Sequence, residues 1–375
     1  MTIHLLVPGP FDAISGGYIY DRRIVEGLRA LGETVEVVEL PGQHPAPDEA
    51  ATEGARAALA AIPAEARIVI DGLGLPAFLP VAQDLAARKA VALVHHPTAL
   101  EHGASDAQRT VLKAKERALF AACARIVCTS PLTARRLPEE FGADPDRIGV
   151  VEPGTDPAAR AKGSGGPGCA ILSVGTLVPR KGHDVLLKAL GRLTDLEWSL
   201  TIAGDDRRDA THAQGLAALV EELGIASRVT FAGEVSGETL EALYHQADLF
   251  ALATRWEGYG MAAAEAMARG LPLAITAGGA IAEVVADGSA IVSAVDDHIS
   301  LSKGMRRPIF DPDLRAEMAA ASWQGGQGLP RWTDRAAAFK AELDRAFAGW
   351  RNPSTAIGST CASLTTPPRA ISTSR

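Results

Sequence analysis

Short apolar runs alternate along most of this 375-residue chain with longer segments in which apolar residues recur every three or four positions. A continuous apolar run suits a strand covered on both faces, and the longer recurrence suits a helix packed on one face. Their alternation predicts βαβ units and parallel sheets. In the first half, Ile3-His4-Leu5-Leu6-Val7 predicts a strand, and a glycine-rich loop through Pro8-Gly9-Pro10 and Ser15-Gly16-Gly17 follows it. Ile24, Leu28 and Leu31 at i, i+4 and i+7 then predict a helix over residues 18–31 that stops at Gly32. Thr34 to Leu40 reads as the next strand, with further strands at 67–71, 90–94 and 125–129.

From Asp156 to Gly168 the chain turns to Pro, Gly, Ala and Ser, a composition that cannot bury a core and predicts a linker at 156–168 between a unit over 1–155 and one over 169–330. The second unit repeats the alternation, with strands at 170–174, 199–203, 228–231, 248–252 and 272–275. Helices are expected between them near 182–193, 213–223, 237–246 and 260–269, then near 311–321 and 334–348. Residues 331–351 read as a C-terminal helix returning to the first unit, and the Ser/Thr/Pro-rich residues 352–375 as a disordered tail. Two doubly wound sheets would set their strand carboxyl ends across a cleft, the place where such sheets bind ligands.

Composition narrows this picture little. Hydrophobic residues at 47% and charged residues at 22% are those of a soluble globular chain. The net charge of −8 offers no footprint for nucleic acid or an anionic membrane, so an anionic ligand must be held locally. Cys123, Cys128, Cys169 and Cys361 are scattered without zinc spacing and read as reduced, buried thiols. The opening strand lacks a basic leader, and no apolar stretch approaches the ~20 residues that span a bilayer, which predicts a cytoplasmic protein without stable membrane association.

The densest candidate chemistry is Glu257-Gly258-Tyr259-Gly260-Met261-Ala262-Ala263-Ala264-Glu265, which follows one strand and enters a helix ending at Arg269-Gly270. Glu257 stands in the loop at a strand's carboxyl end, where Gly258 and Gly260 let a ligand approach the backbone. Glu265 edges onto the helix face expected from Met261, Ala264 and Ala268, where a carboxylate is costly without a hydrogen-bonding partner. The plainer alternative is an exposed Glu265–Arg269 pair at i,i+4 beside a solvated Glu257. Arg180-Lys181-Gly182 lies between a strand and a helix, where cations and free helix N–H groups together suit a diphosphate. His95 ends the buried run Val91-Ala92-Leu93-Val94 and presents an imidazole at the cleft edge, with His96 as the alternative because adjacent strand residues face opposite ways.

These segments together resemble glycosyltransferase family 4, the retaining nucleotide-sugar enzymes of the GT-B fold. The resemblance is carried by Glu257 through Glu265 continuing into Ala266-Met267-Ala268-Arg269-Gly270-Leu271-Pro272. It is supported by Gly16-Gly17, Val94-His95-His96, Val174 through Gly182, Phe231-Ala232-Gly233, and Gly278-Gly279 through Glu283, and it runs along most of residues 3–348. It implies two Rossmann-like domains, with the acceptor on the first and the donor on the second. It further implies that Glu257 stabilises charge on the donor sugar, Glu265 takes the ribose hydroxyls, Lys181 neutralises the leaving diphosphate and His95 lies close to the sugar. Gly16 and Gly17 approach the donor phosphates, Gly258, Tyr259 and Gly260 line the donor site, and Glu283 helps to shape it. The chain departs from the family at Thr176, where many members carry a diphosphate-binding arginine, and Arg180 is the expected substitute. Asp205-Asp206-Arg207 occupies a loop near the base or ribose without indicating which base.

The resulting expectation is a retaining, metal-independent hexosyltransferase that uses a UDP, GDP, ADP or dTDP sugar as co-substrate and needs no cofactor. The acceptor is a small molecule, a glycan or a lipid-linked species. The rival readings are a nucleotide-sugar epimerase or phosphorylase on the same fold, or a non-catalytic sugar-nucleotide-binding protein. A nicotinamide dehydrogenase is disfavoured because no GxGxxG follows the first strand.

Overall fold

The computed structural model describes residues 1–100 and 105–348. The N-terminal part runs β1 (Ile3–Pro8), α1 (Gly16–Ala30), β2 (Val35–Leu40), α2 (Glu49–Ala61), β3 (Arg67–Asp71), α3 (Ala82–Ala87), β4 (Val91–Val94), α4 (Asp106–Ala122), β5 (Arg125–Cys128), α5 (Pro131–Phe141) and β6 (Ile148–Val150). The second part runs β7 (Cys169–Val174), α6 (His183–Leu190), β8 (Trp198–Ala203), α7 (Ala210–Glu222), β9 (Val229–Gly233), α8 (Gly237–Gln246), β10 (Leu249–Leu252), α9 (Met261–Ala268), β11 (Leu273–Thr276), α10 (Ile281–Val284) and β12 (Ala290–Ser293). Three helices follow, α11 (His298–Phe310), α12 (Pro312–Gln327) and α13 (Trp332–Phe347).

Both sheets are six-stranded, in the orders β2-β1-β3-β4-β5-β6 and β12-β11-β10-β7-β8-β9. Every pairing is parallel. Strands β1, β4, β10 and β11 are buried throughout, as their apolar runs require, whereas the edge strand β2 exposes Glu36 and Glu39. Four hydrophobic cores result, one on each face of each sheet. The core over one face of the first sheet takes Phe339, Leu343 and Phe347 from α13, so the chain crosses between the sheets twice. The two crossings lie side by side: Thr155 N–H donates to Pro330 O at 2.8 Å. Between them, residues 156–168 form no regular element and are tied to the second part through Ala161 N–H to Arg269 O and Lys162 N–H to His245 O.

In each sheet the strand order reverses at one place, beside β1 and β3 in the first and beside β7 and β10 in the second. Loops leaving the carboxyl ends of two such strands diverge to opposite faces and leave a crevice. That topology, more than any single residue, decides where a ligand fits.

Most expected elements sit within a few residues of their sequence-derived bounds. Helices α2, α4, α5 and α11 and strands β6 and β12 are not among the expected elements, and α12 extends six residues past its expected end at 321. Leu31, expected on the apolar stripe of α1, instead caps the helix and is 48% exposed, because the helix has ended before it. Cys123, Cys128 and Cys169 are free and buried, and burial pushes their thiols upward. Cys361 and the expected tail at 352–375 lie outside the described residues. Among the described residues, no helix is long and apolar enough to cross a membrane.

The close approach of α1 and α13 can be tested at Gly27, where an added Cβ would stand 2.4 Å from the Ala336 Cβ. Gly27→Ala should destabilise the protein by about 1–2 kcal/mol in urea unfolding, since overpacking outweighs the gain in helix propensity. Gly215→Ala, in α7 with nothing within 4 Å of the new Cβ, should stabilise by about 0.4–1 kcal/mol. Equal effects at the two sites would contradict the packing described.

Candidate functional site

At the reversal point of the second sheet, the loop after β7 and the loop after β10 are built as one unit. Gly182 adopts φ +65°, and an added Cβ would meet Ala253 O at 1.9 Å, so only glycine lets the two loops touch there. Arg255 N–H donates to Arg180 O at 2.8 Å, and the Arg255 guanidinium holds Asp184 with two bonds of 2.9 Å. Arg180 NH1 donates to Trp256 O at 2.8 Å, closing the unit from the other side.

Within this frame Lys181 Nζ donates to Glu257 Oε1 at 2.5 Å, joining two residues 76 positions apart in sequence. Glu257 is 8% exposed. Burial alone would push its carboxyl upward, but the Lys181 ammonium, the Arg180 guanidinium at 3.8 Å and bonds from Lys181 and Thr254 hold it below the usual carboxylate range. Burial draws Lys181 below its ordinary value, against the pull of Glu257. Glu257 is therefore a carboxylate at neutral pH and gives Lys181 its counter-charge. Glu257 also pairs its backbone with the loop after β11, accepting from Ala280 N–H and donating to Gly278 O at 2.9 Å each.

Gly260, with φ +110°, leads into helix α9. The face expected from Met261, Ala264 and Ala268 needs correction: Ala263, Ala264, Ala266, Met267 and Ala268 are buried, while Met261 turns toward the first sheet, its Sδ 3.8 Å from where a Gly16 Cβ would stand. The alternative of an exposed Glu265–Arg269 side-chain pair is also overturned. Arg269 donates to the Glu265 backbone carbonyl at 2.9 Å and sends its guanidinium to Glu241, while Glu265 accepts from the Tyr244 hydroxyl at 3.0 Å. Burial pushes the Glu265 carboxyl upward.

Across the cleft, the first sheet's reversal point carries a second charged cluster. His95 Nε2 lies 3.1 Å from Asp21 Oδ1 and 3.2 Å from Asp71 Oδ2. Tyr20 packs edge-on against the imidazole at 5.2 Å. Burial works against protonation of His95, but the two aspartates outweigh it and raise the imidazole to about 10. His95 is therefore an imidazolium at neutral pH. Burial pushes Asp21 to about 6 against the pull of His95. The ligand atoms of the three residues lie within 4.8 Å of one another, close enough for a metal ion, and the imidazolium already supplies a positive charge between the two acids. His96 is half-buried beside a small cavity that also touches Glu116, whose carboxylate caps the turn after β4 through Thr98 N–H at 2.6 Å.

The two halves meet around these groups. An added Cβ on Gly258 would stand 2.3 Å from His95 O, and one on Gly17 would stand 3.3 Å from His95 Cδ2. The Arg136 guanidinium lies 4.7 Å from the Trp256 ring, and Arg135 pairs with Glu283. Tyr259 is buried. Beside this contact a cleft of about 900 Å³ opens, walled by Gly9, Asp12, Ser15, Tyr18 and His44 on one side and Thr176, Asp205, Arg207 and Arg208 on the other.

The structure thus brings His95, Gly16, Gly17, Gly258 and Glu257 to one locus with Lys181, and places Glu265 a helical turn or two deeper. Arg180 is directed to the Trp256 carbonyl. Sequence reasoning missed Asp21, Asp71, Thr254 and Tyr244. Two of these carry a signal: Asp71 ends a buried apolar strand, and Asp21 sits on the apolar stripe of α1, three residues before Ile24.

Residues 160–324 match the family Glycosyl transferases group 1, and residues 69–159 match Glycosyltransferase Family 4. Over 236 residues the chain is 28% identical to mannosylfructose-phosphate synthase of Agrobacterium fabrum, covering 58% of this chain and 52% of that protein. Over 174 residues it is 36% identical to D-inositol 3-phosphate glycosyltransferase of Mycobacterium sp. strain KMS, covering 44% of this chain and 39% of that protein. The chain thus spans about half or less of the length of these curated relatives. Among solved structures, sucrose-phosphate synthase from Thermosynechococcus elongatus superposes with a TM-score of 0.79 at 21% identity, over 93% of this chain and 100% of that one. Anabaena HepE in complex with UDP-glucose superposes with a TM-score of 0.73 at 16% identity, over 92% and 100%. Two parallel six-stranded sheets, reversal points facing one cleft and family matches that run without a gap from residue 69 to residue 324 lead to one conclusion: this chain belongs to glycosyltransferase family 4 and has the GT-B fold.

Proposed function

We propose that this protein is a retaining glycosyltransferase that moves a hexose-type sugar from a nucleoside-diphosphate sugar to a hydroxyl-bearing acceptor. The observation that carries the reading is the buried Lys181–Glu257 pair at the reversal point of the second sheet, facing the His95 imidazolium at that of the first. A sugar diphosphate has the complementary chemistry. Its phosphates seek Lys181 and the first N–H groups of α1, where Ser15 leaves the helix without a side-chain cap and Gly16 and Gly17 add no bulk. Its sugar hydroxyls suit Glu257 and the backbone at Gly258, Tyr259 and Gly260, and its ribose diol suits Glu265, whose one protein bond leaves acceptor capacity free.

In this reading Glu257 stabilises the positive charge that grows on the sugar as the anomeric bond loosens, and Lys181 stabilises the departing diphosphate. The positive charge comes from side chains and a helix end, so the reading requires no metal ion. Of the two residues placed beside the sugar, neither suits a general base: His95 already holds its proton at neutral pH, and Lys181 keeps Glu257 ionised, which makes it a weak proton acceptor. In this reading a donor phosphate oxygen takes the acceptor proton, as in front-face attack with retention. Among the described residues, the first domain's wall of the cleft carries Asp12, Tyr18, Gln43 and His44 and no lysine or arginine. That lining suits a neutral polyhydroxyl acceptor better than a phosphorylated one.

The test is to supply UDP, GDP, ADP and dTDP sugars with polyol acceptors and to follow the product anomer by proton NMR beside steady-state kinetics of variants. The product should keep the donor's anomeric configuration. Glu257→Ala should lower kcat by about 10²-fold while nucleoside diphosphate binding changes little, and Glu265→Ala should mainly weaken nucleotide binding. An inverted product, or the two glutamate effects exchanged, would overturn the assignment.

A second expectation concerns the charge of His95. Its ring proton resonances should keep imidazolium shifts to above pH 9. In the double variant Asp21→Asn, Asp71→Asn, burial acts alone and the titration should fall to or below the ordinary value near 6.5. A titration unchanged by removing both acids would show that they do not set the charge.

A further inference from the structure

We propose that Arg208 holds the outer phosphate of the bound nucleoside diphosphate, supplying from the loop after β8 a positive charge that Thr176 cannot supply from the loop after β7. The inference rests on the donor-site reading above and extends it to a residue outside the sequence motifs. Electrostatic demand is its starting point. A nucleoside diphosphate brings two or more negative charges, yet the Lys181 ammonium is paired with Glu257 at 2.5 Å, and the Arg180 guanidinium donates to Trp256 O at 2.8 Å. Lys181, Glu257 and Arg180, whose guanidinium stands 3.8 Å from Glu257, together carry about one positive charge, less than a diphosphate's opposite charge. A further cation must face the phosphates if the site is to bind them well.

Geometry names the candidate. The Lys181 side chain runs over Gly175, whose added Cβ would lie 3.1 Å from Lys181 Cδ, and the next residue, Thr176, lines the cleft. Thr176 lies directly beside the loop after β8: an added Cβ on Gly204 would stand 2.0 Å from Gly175 O and 2.9 Å from Thr176 N, and Leu177 N–H donates to Asp205 O at 2.9 Å. Among the described residues, the basic side chains lining this cleft besides His44 are Arg207 and Arg208. Arg207 is held in place by Asp205 at 3.0 Å and Glu234 at 3.3 Å. Arg208 is exposed, and no ion pair or hydrogen bond to a described residue fixes its guanidinium. Its position over the cleft is visible in Tyr18 on the opposite wall: burial and nearby carboxylates push that phenol to about 12, and the positive charge of Arg208 pulls it back. The three positions Lys181, Thr176 and Arg208 thus follow one another along the second-domain wall, with the α1 N-terminus opposite. An arginine reaching in from the neighbouring loop can serve phosphates that a threonine at 176 cannot.

The experiment is titration calorimetry of the full chain with UDP, GDP, ADP and dTDP, each beside its nucleoside, for wild type, Lys181→Ala, Arg208→Ala and Arg208→Ala combined with Thr176→Arg. Circular dichroism melting confirms that each variant is folded. Arg208→Ala should weaken the diphosphate that wild type binds by about 10- to 100-fold, the range of a charge-assisted hydrogen bond, with the nucleoside changed less than twofold. Adding Thr176→Arg should recover a large part of that loss, because the new guanidinium starts from the adjacent strand end. If Lys181→Ala weakens binding while Arg208→Ala leaves it at the wild-type value, the donor-site reading stands and the role of Arg208 is overturned. Equal losses for nucleoside and diphosphate on Arg208→Ala would overturn it too, by placing the residue away from the phosphates. If wild type binds none of the four diphosphates, the donor-site reading fails and the role of Arg208 fails with it.

Discussion

The candidate site depends on an ion pair kept out of water. Lys181 and Glu257 meet at 2.5 Å with 15% and 10% of their side chains exposed, an environment in which either charge alone would be costly. The partner makes each charge tolerable, and the surrounding loops make the meeting possible. Gly182 lets the loop after β7 lie against Ala253, Arg255 clamps Asp184, and the Thr254 hydroxyl lies within 3.2 Å of the Glu257 carboxylate. These loops come from β7 and β10, adjacent strands whose following chain leaves in different directions. The pair is therefore a product of the topology as much as of the two residues.

The first sheet answers with the same logic and the opposite balance. There two buried acids, Asp21 and Asp71, surround one imidazolium, so a negative cluster with a cation at its centre faces a neutral pair with basic residues around it. Gly258 lies close against the His95 carbonyl, which brings the two clusters together and leaves the larger cleft to one side, between Tyr18 and Arg208. A bound sugar diphosphate between these walls would replace water at both clusters, and the fixed charges would need little rearrangement as the anomeric bond breaks. Helix α13, packed on α1, links the second crossing of the chain to the helix whose first turn would face that ligand.

Much of this is legible in the sequence, for identifiable reasons. The strands β3, β4 and β10 are short continuous apolar runs, a pattern that buried parallel strands produce and that one-faced amphipathic helices do not. Glu257, Lys181 and His95 each follow such a run, so their placement at strand ends can be read directly. Their mutual contacts cannot. Nothing local says that Lys181 reaches Glu257 across 76 residues, that His95 is shared by Asp21 and Asp71, or that Tyr244 takes Glu265 in place of Arg269. Met261 escapes prediction because an alanine-rich helix buried on nearly all sides has no stripe from which to infer a face. Helices α4 and α11 carry apolar stripes, but the buried Glu116 interrupts the first and Gly304 and Pro308 break up the second.

If the buried pair is what the site depends on, Lys181 and Glu257 act as one unit in transfer. A double-mutant cycle measures this directly: kcat/KM for donor consumption in wild type, Lys181→Met, Glu257→Gln and the two combined, on protein shown to be folded. For a unit, the combined variant should be no more than about tenfold worse than the poorer single variant, since either substitution already dismantles the arrangement. Losses that multiply, with the combined defect equal to the product of the two single defects, would show that the residues act independently and would contradict the account.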